Sequence, residues 1–348
     1  MTRQDLVTVT GASGFIALHT TRQLLAAGYA VRGTLRSMDK ADGIARALAA
    51  RGDDVSHLSF ARADLTADDG WDAALEGADY LIHMASPVPA EAPKDENDLI
   101  IPARDGALRA LRAACDAGVK RIVMTSSIAA ISGGHDKSQQ LDEGCWSDVT
   151  KDIGAYQKSK TLAEKAAWDF IAALPVENRP EFAVINPGFV LGPVIGGQAS
   201  ASLEIVRRLM AREVPGVPNI GFSLVDVRDV AAAHVTALIH TDAPGNRFIC
   251  VAESMTFREI ARHLADYLAP QGYKIPTRPV PDWLVYFLAL FSPTFKLVAT
   301  RLGPATAFDT RAARTRLDWQ PRSMVQSLFD TADSLGAQNI TRPGRTPS

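Results

Sequence analysis

Cysteine is scarce in this chain: Cys115, Cys145 and Cys250 stand far apart. Three scattered thiols exclude a disulfide framework and a clustered cysteine metal site, and they make a reducing cytoplasm the expected setting. Charge of one sign is lacking too, since 37 basic and 39 acidic residues leave a formal net charge of −2. No broad field therefore attracts nucleic acid or anionic lipid. Long apolar runs are also missing. The most apolar one, from Trp283 to Phe291, covers about half of the ~20 residues a membrane span needs, and it has no basic face for a membrane surface. The first residues show no apolar core of a secretion signal, and Val7-Thr8-Val9 reads as a strand instead. Internal repeats, heptads and low-complexity segments are absent. What is present is 348 residues with 47% hydrophobic and 22% charged side chains, enough to bury a large core in one α/β unit with a cap.

The β-branched run Leu6-Val7-Thr8-Val9-Thr10 leads into Gly11-Ala12-Ser13-Gly14 and then an apolar-periodic helix reaching Gly28. Strand, glycine turn and helix form the setting in which a dinucleotide pyrophosphate meets a helix N-terminus. Gly11 permits the tight turn and Gly14 a close approach of backbone N–H groups. The spacing is G-x-x-G-x-x-A, with Ala17 where a third glycine often sits. A second strand, residues 30–35, delivers Arg36, with Lys40 close behind and Arg32 as a possible helper. A ribose 2′-phosphate calls for an arginine there and a free 2′-hydroxyl for an acid, so the expected cofactor is NADP(H) rather than NAD.

Further strands are expected at 58–65, 78–84, 120–127 and 182–186, with helical runs between them. Asp64 is placed to accept from an adenine amino group with Leu65 on the ring, or to cap a turn before Trp71; both can hold. His83 is expected to be a satisfied structural histidine. Pro102 should kink the helical run from Asn97 to Gly118 or start a new helix. The alternation from residue 6 to 187 argues for α/β architecture: a doubly wound parallel sheet with a smaller C-terminal substrate-binding region. The Rossmann domain is expected at 1–190, with 222–252 returning to it. The substrate region then falls at 191–221 and 253–338, with a flexible loop at 196–200 and a frayed tail at 339–348. Residues 275–305 are rich in proline and aromatics and suit the lining of an apolar pocket.

Tyr156 and Lys160 lie four residues apart in a helical run, and so on one face of it. A cation held beside a phenol favours phenolate, and such a phenol can exchange a proton with a carbonyl oxygen. The strand at 120–127 ends in Ser126 and Ser127, and a hydroxyl at that sheet edge can bond the same substrate oxygen; spacing does not choose between the two serines.

TGASGFI at 10–16, Ser127 and Y-x-x-x-K at 156–160 together resemble the extended short-chain dehydrogenases/reductases. More narrowly, the chain resembles the dihydroflavonol reductase-like branch, with cinnamoyl-CoA reductases and microbial NADPH-dependent aldehyde/ketone reductases. That likeness rests on VRGTLRS at 31–37, HMASP at 83–87, DEGCW at 142–146, YQKSKTLAE at 156–164, NPGFV at 186–190, VDVRDV at 225–230 and LDWQPRS at 317–323. The resemblance implies Ser127 as the catalytic serine, Tyr156 as acid/base and Lys160 on the nicotinamide ribose. It implies cofactor contacts at Gly11, Ser13, Gly14, Phe15, Ile16, Arg36, Lys40, Asp64, Leu65, Met84, Ala85, Ser86, Tyr156, Lys160, Pro187, Gly188, Phe189, Val190 and Ser202, and no metal. Arg109 stands where related patterns carry an asparagine.

The expected activity is NADPH-dependent reduction of an apolar or aromatic aldehyde or ketone by a monomer or homodimer that binds neither nucleic acid nor membrane. A hydroxysteroid dehydrogenase or nucleotide-sugar epimerase on the same scaffold is the alternative. From another class, the alternative is a non-catalytic NADP-sensing regulator.

Overall fold

The computed structural model describes residues 4–87, 93, 95–196, 200 and 202–337. The tail at 339–348 and residues 197–199 of the loop expected to be flexible lie outside them. Seven strands form one sheet. They are β1 (Leu6–Val9), β2 (Ala30–Leu35), β3 (Leu58–Arg62), β4 (Tyr80–His83), β5 (Arg121–Thr125), β6 (Glu181–Pro187) and β7 (Arg247–Cys250). Their order is β7-β6-β5-β4-β1-β2-β3 and every pairing is parallel. The chain runs outward from β1 to β3, crosses back to β4 and runs outward again. In such sheets a ligand sits beyond the carboxyl ends of the strands where the order reverses, here between β1 and β4.

Helices around the sheets include α1 (Phe15–Ala26), α2 (Asn97–Asp116), α3 (Ala155–Ala173), α4 (Val227–Ile239), α5 (Phe257–Leu268) and α6 (Met324–Ala337). α1 packs on α4 over one face of the sheet, whose core holds Val7, Val9, Val31, Val123 and Ile185. α2 and α3 pack together over the other face, on Leu81, Ile122, Met124, Phe182 and Val184. Ala163 and Ala167 are buried in that layer, and their small side chains let α3 lie close to the strands. Pro102 does not start a new helix. It falls in the second turn of one continuous α2, where the buried Leu99, Ala103, Ala107 and Ala110 offset the single lost backbone bond.

The stretch 222–252 divides between two sheets. α4 and β7 join the large sheet, whereas Gly221–Asp226 pairs with Phe189–Leu191 and Glu253–Thr256 in a three-stranded sheet. α6 is fastened to the segment after Leu191, with Gly192 N–H donating to Thr331 Oγ1 at 2.8 Å and Val194 N–H to Ser334 Oγ at 3.0 Å. VDVRDV and LDWQPRS meet in space. Arg322 donates to the Asp229 carboxylate through N at 2.8 Å and Nε at 2.9 Å, and the Trp319 indole donates to Asp229 O at 2.9 Å. Two of the resembling motifs thus form a structural clasp. In the aromatic-rich segment, Val285 is buried, but Trp283, Tyr286 and Phe287 on the helix Asp282–Ala289, and Leu290 and Phe291 in the turn after it, are exposed. These side chains present open apolar surface, not an enclosed lining.

Candidate active site

The turn after β1 is shaped by what surrounds it. Gly11 sits at φ +66°, and a Cβ there would lie 3.1 Å from Ala85 Cα, so both backbone and space favour glycine against the exit of β4. Gly14 donates to Gly11 O at 2.8 Å and precedes α1 without a side-chain cap. The first-turn amides of Phe15, Ile16 and Ala17 therefore have no intrahelical carbonyl, which is the arrangement an anionic group requires. Ser13 is half-buried in the same turn. The methyl of Ala17 packs into the core with Val7 and Val9, which explains how alanine is accommodated at the third position.

Arg36, Ser37, Met38, Asp39 and Lys40 are exposed beyond β2, so both cations are available to a phosphate. Arg32 is not a helper. Its Nη1 donates to the Ala73, Ala74 and Glu76 carbonyls at 3.3, 3.3 and 2.7 Å, closing the end of the short helix at Trp71–Leu75. The Asp64 carboxylate caps its own turn, accepting from the N and Oγ1 of Thr66 at 2.9 Å each. Those bonds from Thr66 hold its pKa below the usual carboxylate value. Leu65 lies against the outer layer, and a Cβ at Gly106 of α2 would come within 2.7 Å of its own Cβ. Arg109 turns to Asp68 and Leu65 O, on the outer side of α2.

Gly154, at φ +82°, turns the chain into α3, so that Tyr156 and Lys160 stand in its first two turns. Tyr156 is 42% exposed and Lys160 only 8%, with the Lys160 ammonium 6.0 Å from the Tyr156 ring centroid. The neighbouring Lys158 points elsewhere, to Glu96 at 2.8 Å. Of the serine pair, Ser126 is buried and its hydroxyl has no partner among the described residues, while Ser127 is half-buried with Oγ accepting from Ala129 N–H at 3.1 Å.

Sequence reasoning missed the groups that hold this arrangement. The carbonyl of Ser127 accepts from Asn186 Nδ2 at 3.2 Å, and the same amide donates to Glu164 Oε2 at 2.9 Å. Glu164 is fully buried and pairs with Arg247 Nε at 2.6 Å. Asn186 and Glu164 both lie in stretches that carry the family likeness, but nothing in the spacing of residues 164, 186 and 247 signals that they meet. Thr10 is a second such group. Its Oγ1 accepts the Met84 and Ala85 N–H groups at 2.9 Å each, so its proton goes to His83 Nδ1 at 3.0 Å. His83 consequently carries its proton on Nε2. Burial, aided by the Lys160 charge, lowers its pKa to about 3 and keeps it neutral, as suits a structural histidine.

Of the remaining expected contacts, Met84, Ala85 and Ser86 line the half-buried exit of β4. Pro187 ends β6, and a Cβ on Gly188 would lie 2.4 Å from Ser223 O, so glycine lets Phe189–Leu191 enter the small sheet. Ser202 precedes the helix at Glu204–Met210, with its hydroxyl 2.7 Å from that of Ser200.

A doubly wound sheet whose phosphate-ready turn lies at the switch point is the scaffold of a dinucleotide-dependent enzyme. The profile of the NAD dependent epimerase/dehydratase family matches residues 7–251. Cinnamoyl-CoA reductase 1 of Arabidopsis thaliana is 36% identical over 279 residues, covering 78% of this chain and 77% of that one. An anthocyanidin reductase ((2S)-flavan-3-ol-forming) of Vitis vinifera is 32% identical over 286 residues, covering 77% and 82%. Among solved structures, Gre2 of Candida albicans in complex with NADPH matches with a TM-score of 0.79 at 29% identity, over 96% of this chain and 99% of that one. Yeast methylglyoxal/isovaleraldehyde reductase Gre2 complexed with NADPH matches at 0.78 and 28%, again over 96% and 99%. The chain belongs to the NAD-dependent epimerase/dehydratase family, within the extended short-chain dehydrogenases/reductases and their dihydroflavonol reductase-like branch. It is an oxidoreductase.

Proposed function

We propose that this protein is an NADPH-dependent carbonyl reductase that converts an apolar or aromatic aldehyde or ketone to the alcohol. The observation that carries the reading is the nearly buried Lys160 ammonium 6.0 Å from the ring of the accessible Tyr156, on the helix that packs over β4, β5 and β6. The glycine turn and the open amides of Phe15 and Ile16 fit a pyrophosphate, and Arg36 with Lys40 fits a 2′-phosphate. NADPH bound there supplies the hydride. Tyr156 gives its proton to the carbonyl oxygen, Ser127 donates a hydrogen bond to the same oxygen, and Lys160 holds positive charge beside the phenol as that proton leaves.

Support for the substrate class comes from relatives named for cinnamoyl-CoA and anthocyanidin. An arginine rather than an acid at position 36 weighs against an epimerase that retains NAD, and the presence of both Tyr156 and Lys160 weighs against a cofactor-sensing regulator. Tyr156→Phe tests the reading. Carbonyl reduction is expected to fall by ~10²–10⁴-fold, the usual contribution of a positioned general acid, with NADPH affinity unchanged. Turnover at the wild-type rate would overturn the assignment.

A further inference from the structure

We infer that Glu164 and Asn186 form a positioning link that sets the Ser127 hydroxyl against Tyr156 and Lys160, an inference that rests on the reductase reading above. Glu164 follows Lys160 by four residues and Tyr156 by eight, so all three share one face of α3. The Asn186 amide joins that face to the serine, since one Nδ2 donates both to Glu164 Oε2 at 2.9 Å and to Ser127 O at 3.2 Å. Both partners are acceptors, so the amide can only present its nitrogen to them. Ser127 itself sits in a tight turn, with its carbonyl also accepting from Ala130 N–H at 3.0 Å and its hydroxyl from Ala129 N–H at 3.1 Å. A shift of the Ser127 peptide therefore carries the hydroxyl with it.

The far end of the link is anchored as firmly. Arg247 meets Glu164 Oε1 at 2.6 Å, donates from Nη1 to Glu143 O and Cys145 O at 2.8 and 2.7 Å, and lies 3.8 Å from the Trp146 ring centroid. Elsewhere α3 meets the sheet through apolar side chains such as Ala163, Ala167 and Ile171. A buried ion pair in that layer adds little stability over an apolar contact, because desolvating two charges offsets their attraction. What it supplies is direction: a donor aimed at the carbonyl of the serine whose hydroxyl, with that of Tyr156, must meet the substrate. Misplacing a reacting group by about 1 Å can cost ~10²-fold in rate, which gives such a link a function.

A double-mutant cycle on the full-length enzyme with saturating NADPH tests the inference. Asn186→Ala is expected to lower kcat by ~10-fold or more without changing the Kd for NADPH, whereas in a Ser127→Ala background the same substitution should change kcat by less than ~2-fold. Losses that multiply would overturn the link. Because alanine leaves a hole beside a buried carboxylate, Asn186→Asp gives a second reading. An aspartate there can donate to Glu164 only while protonated, so its activity should decline with rising pH through an ionisation the parent enzyme lacks. A pH profile that superimposes on the parent's would also overturn the link. A parental rate for Ser127→Ala alone would sink the serine's place in the reductase reading together with the link, which differs from a slow Ser127→Ala whose loss simply multiplies.

Discussion

Arg36 and Lys160 show how differently one chain can treat two cations. Lys160 is nearly buried, and its charge is felt by His83, whereas Arg36 stands in the open beyond β2. Arg36 is proposed to read the part of a cofactor that lies at the rim. Arg36→Glu should cut the preference for NADPH over NADH by ~10-fold or more, the loss of one charge-assisted hydrogen bond of about 1.5–3 kcal/mol. Steady-state kinetics with both cofactors measure it, and an unchanged ratio would refute that role. At this scale, legibility depends on locality. Tyr156 and Lys160 are four apart in one helix, so their pairing can be read directly. Glu164 meets partners 22 and 83 residues away, on β6 and β7, and no local spacing encodes that. Arg32 misleads for the opposite reason: a basic side chain on a phosphate-binding strand is expected to reach for the ligand, yet carbonyls at the end of the Trp71–Leu75 helix lie within its reach.

The glycine turn is an element whose shape depends on its neighbours as much as on its own residues. A Cβ on Gly33 of β2 would fall 2.6 Å from the Ala12 Cβ, so the strand needs glycine for the turn to close over it. Gly33→Ala should push the turn outward, destabilise the fold by about 1–3 kcal/mol through overpacking, and weaken NADPH binding measured by titration calorimetry. Unchanged cofactor affinity would show that the turn does not form the phosphate site. The alternating strands and helices up to residue 187 are readable because buried parallel strands appear as continuous apolar runs. The small sheet is not readable as a unit. Its strands, Phe189–Leu191, Gly221–Asp226 and Glu253–Thr256, are short and come from separated segments, and the second falls almost wholly within the 222–252 stretch expected in the Rossmann domain.

For the molecule as a whole, three buried histidines set the response to acid. Burial lowers the pKa of His19 to about 4, of His83 to about 3 and of His234 to about 4. In the unfolded chain each takes a proton below ~6.5, while the folded state takes none until far lower pH. Stability is therefore complete above ~6.5 and falls as the pH drops toward 4, by up to ~1.4 kcal/mol per pH unit for each histidine. Urea unfolding at pH 7 and pH 5 should show a loss of several kcal/mol, and equal stability at the two pH values would contradict the buried, neutral assignment. Among the described residues no helix is long and apolar enough to cross a membrane, in keeping with the short apolar run at Trp283. The claim on which the functional reading turns is that this fold delivers hydride to a carbonyl carbon under proton donation from Tyr156. Single-turnover reduction of an aromatic aldehyde with NADPH deuterated at nicotinamide C4, followed by mass spectrometry of the product, tests it most directly. Deuterium on the carbinol carbon with the parent enzyme, and none above background with Tyr156→Phe, is the predicted result; bound NADPH with no label transferred across a panel of aromatic aldehydes, aliphatic ketones and dihydroflavonols would contradict it.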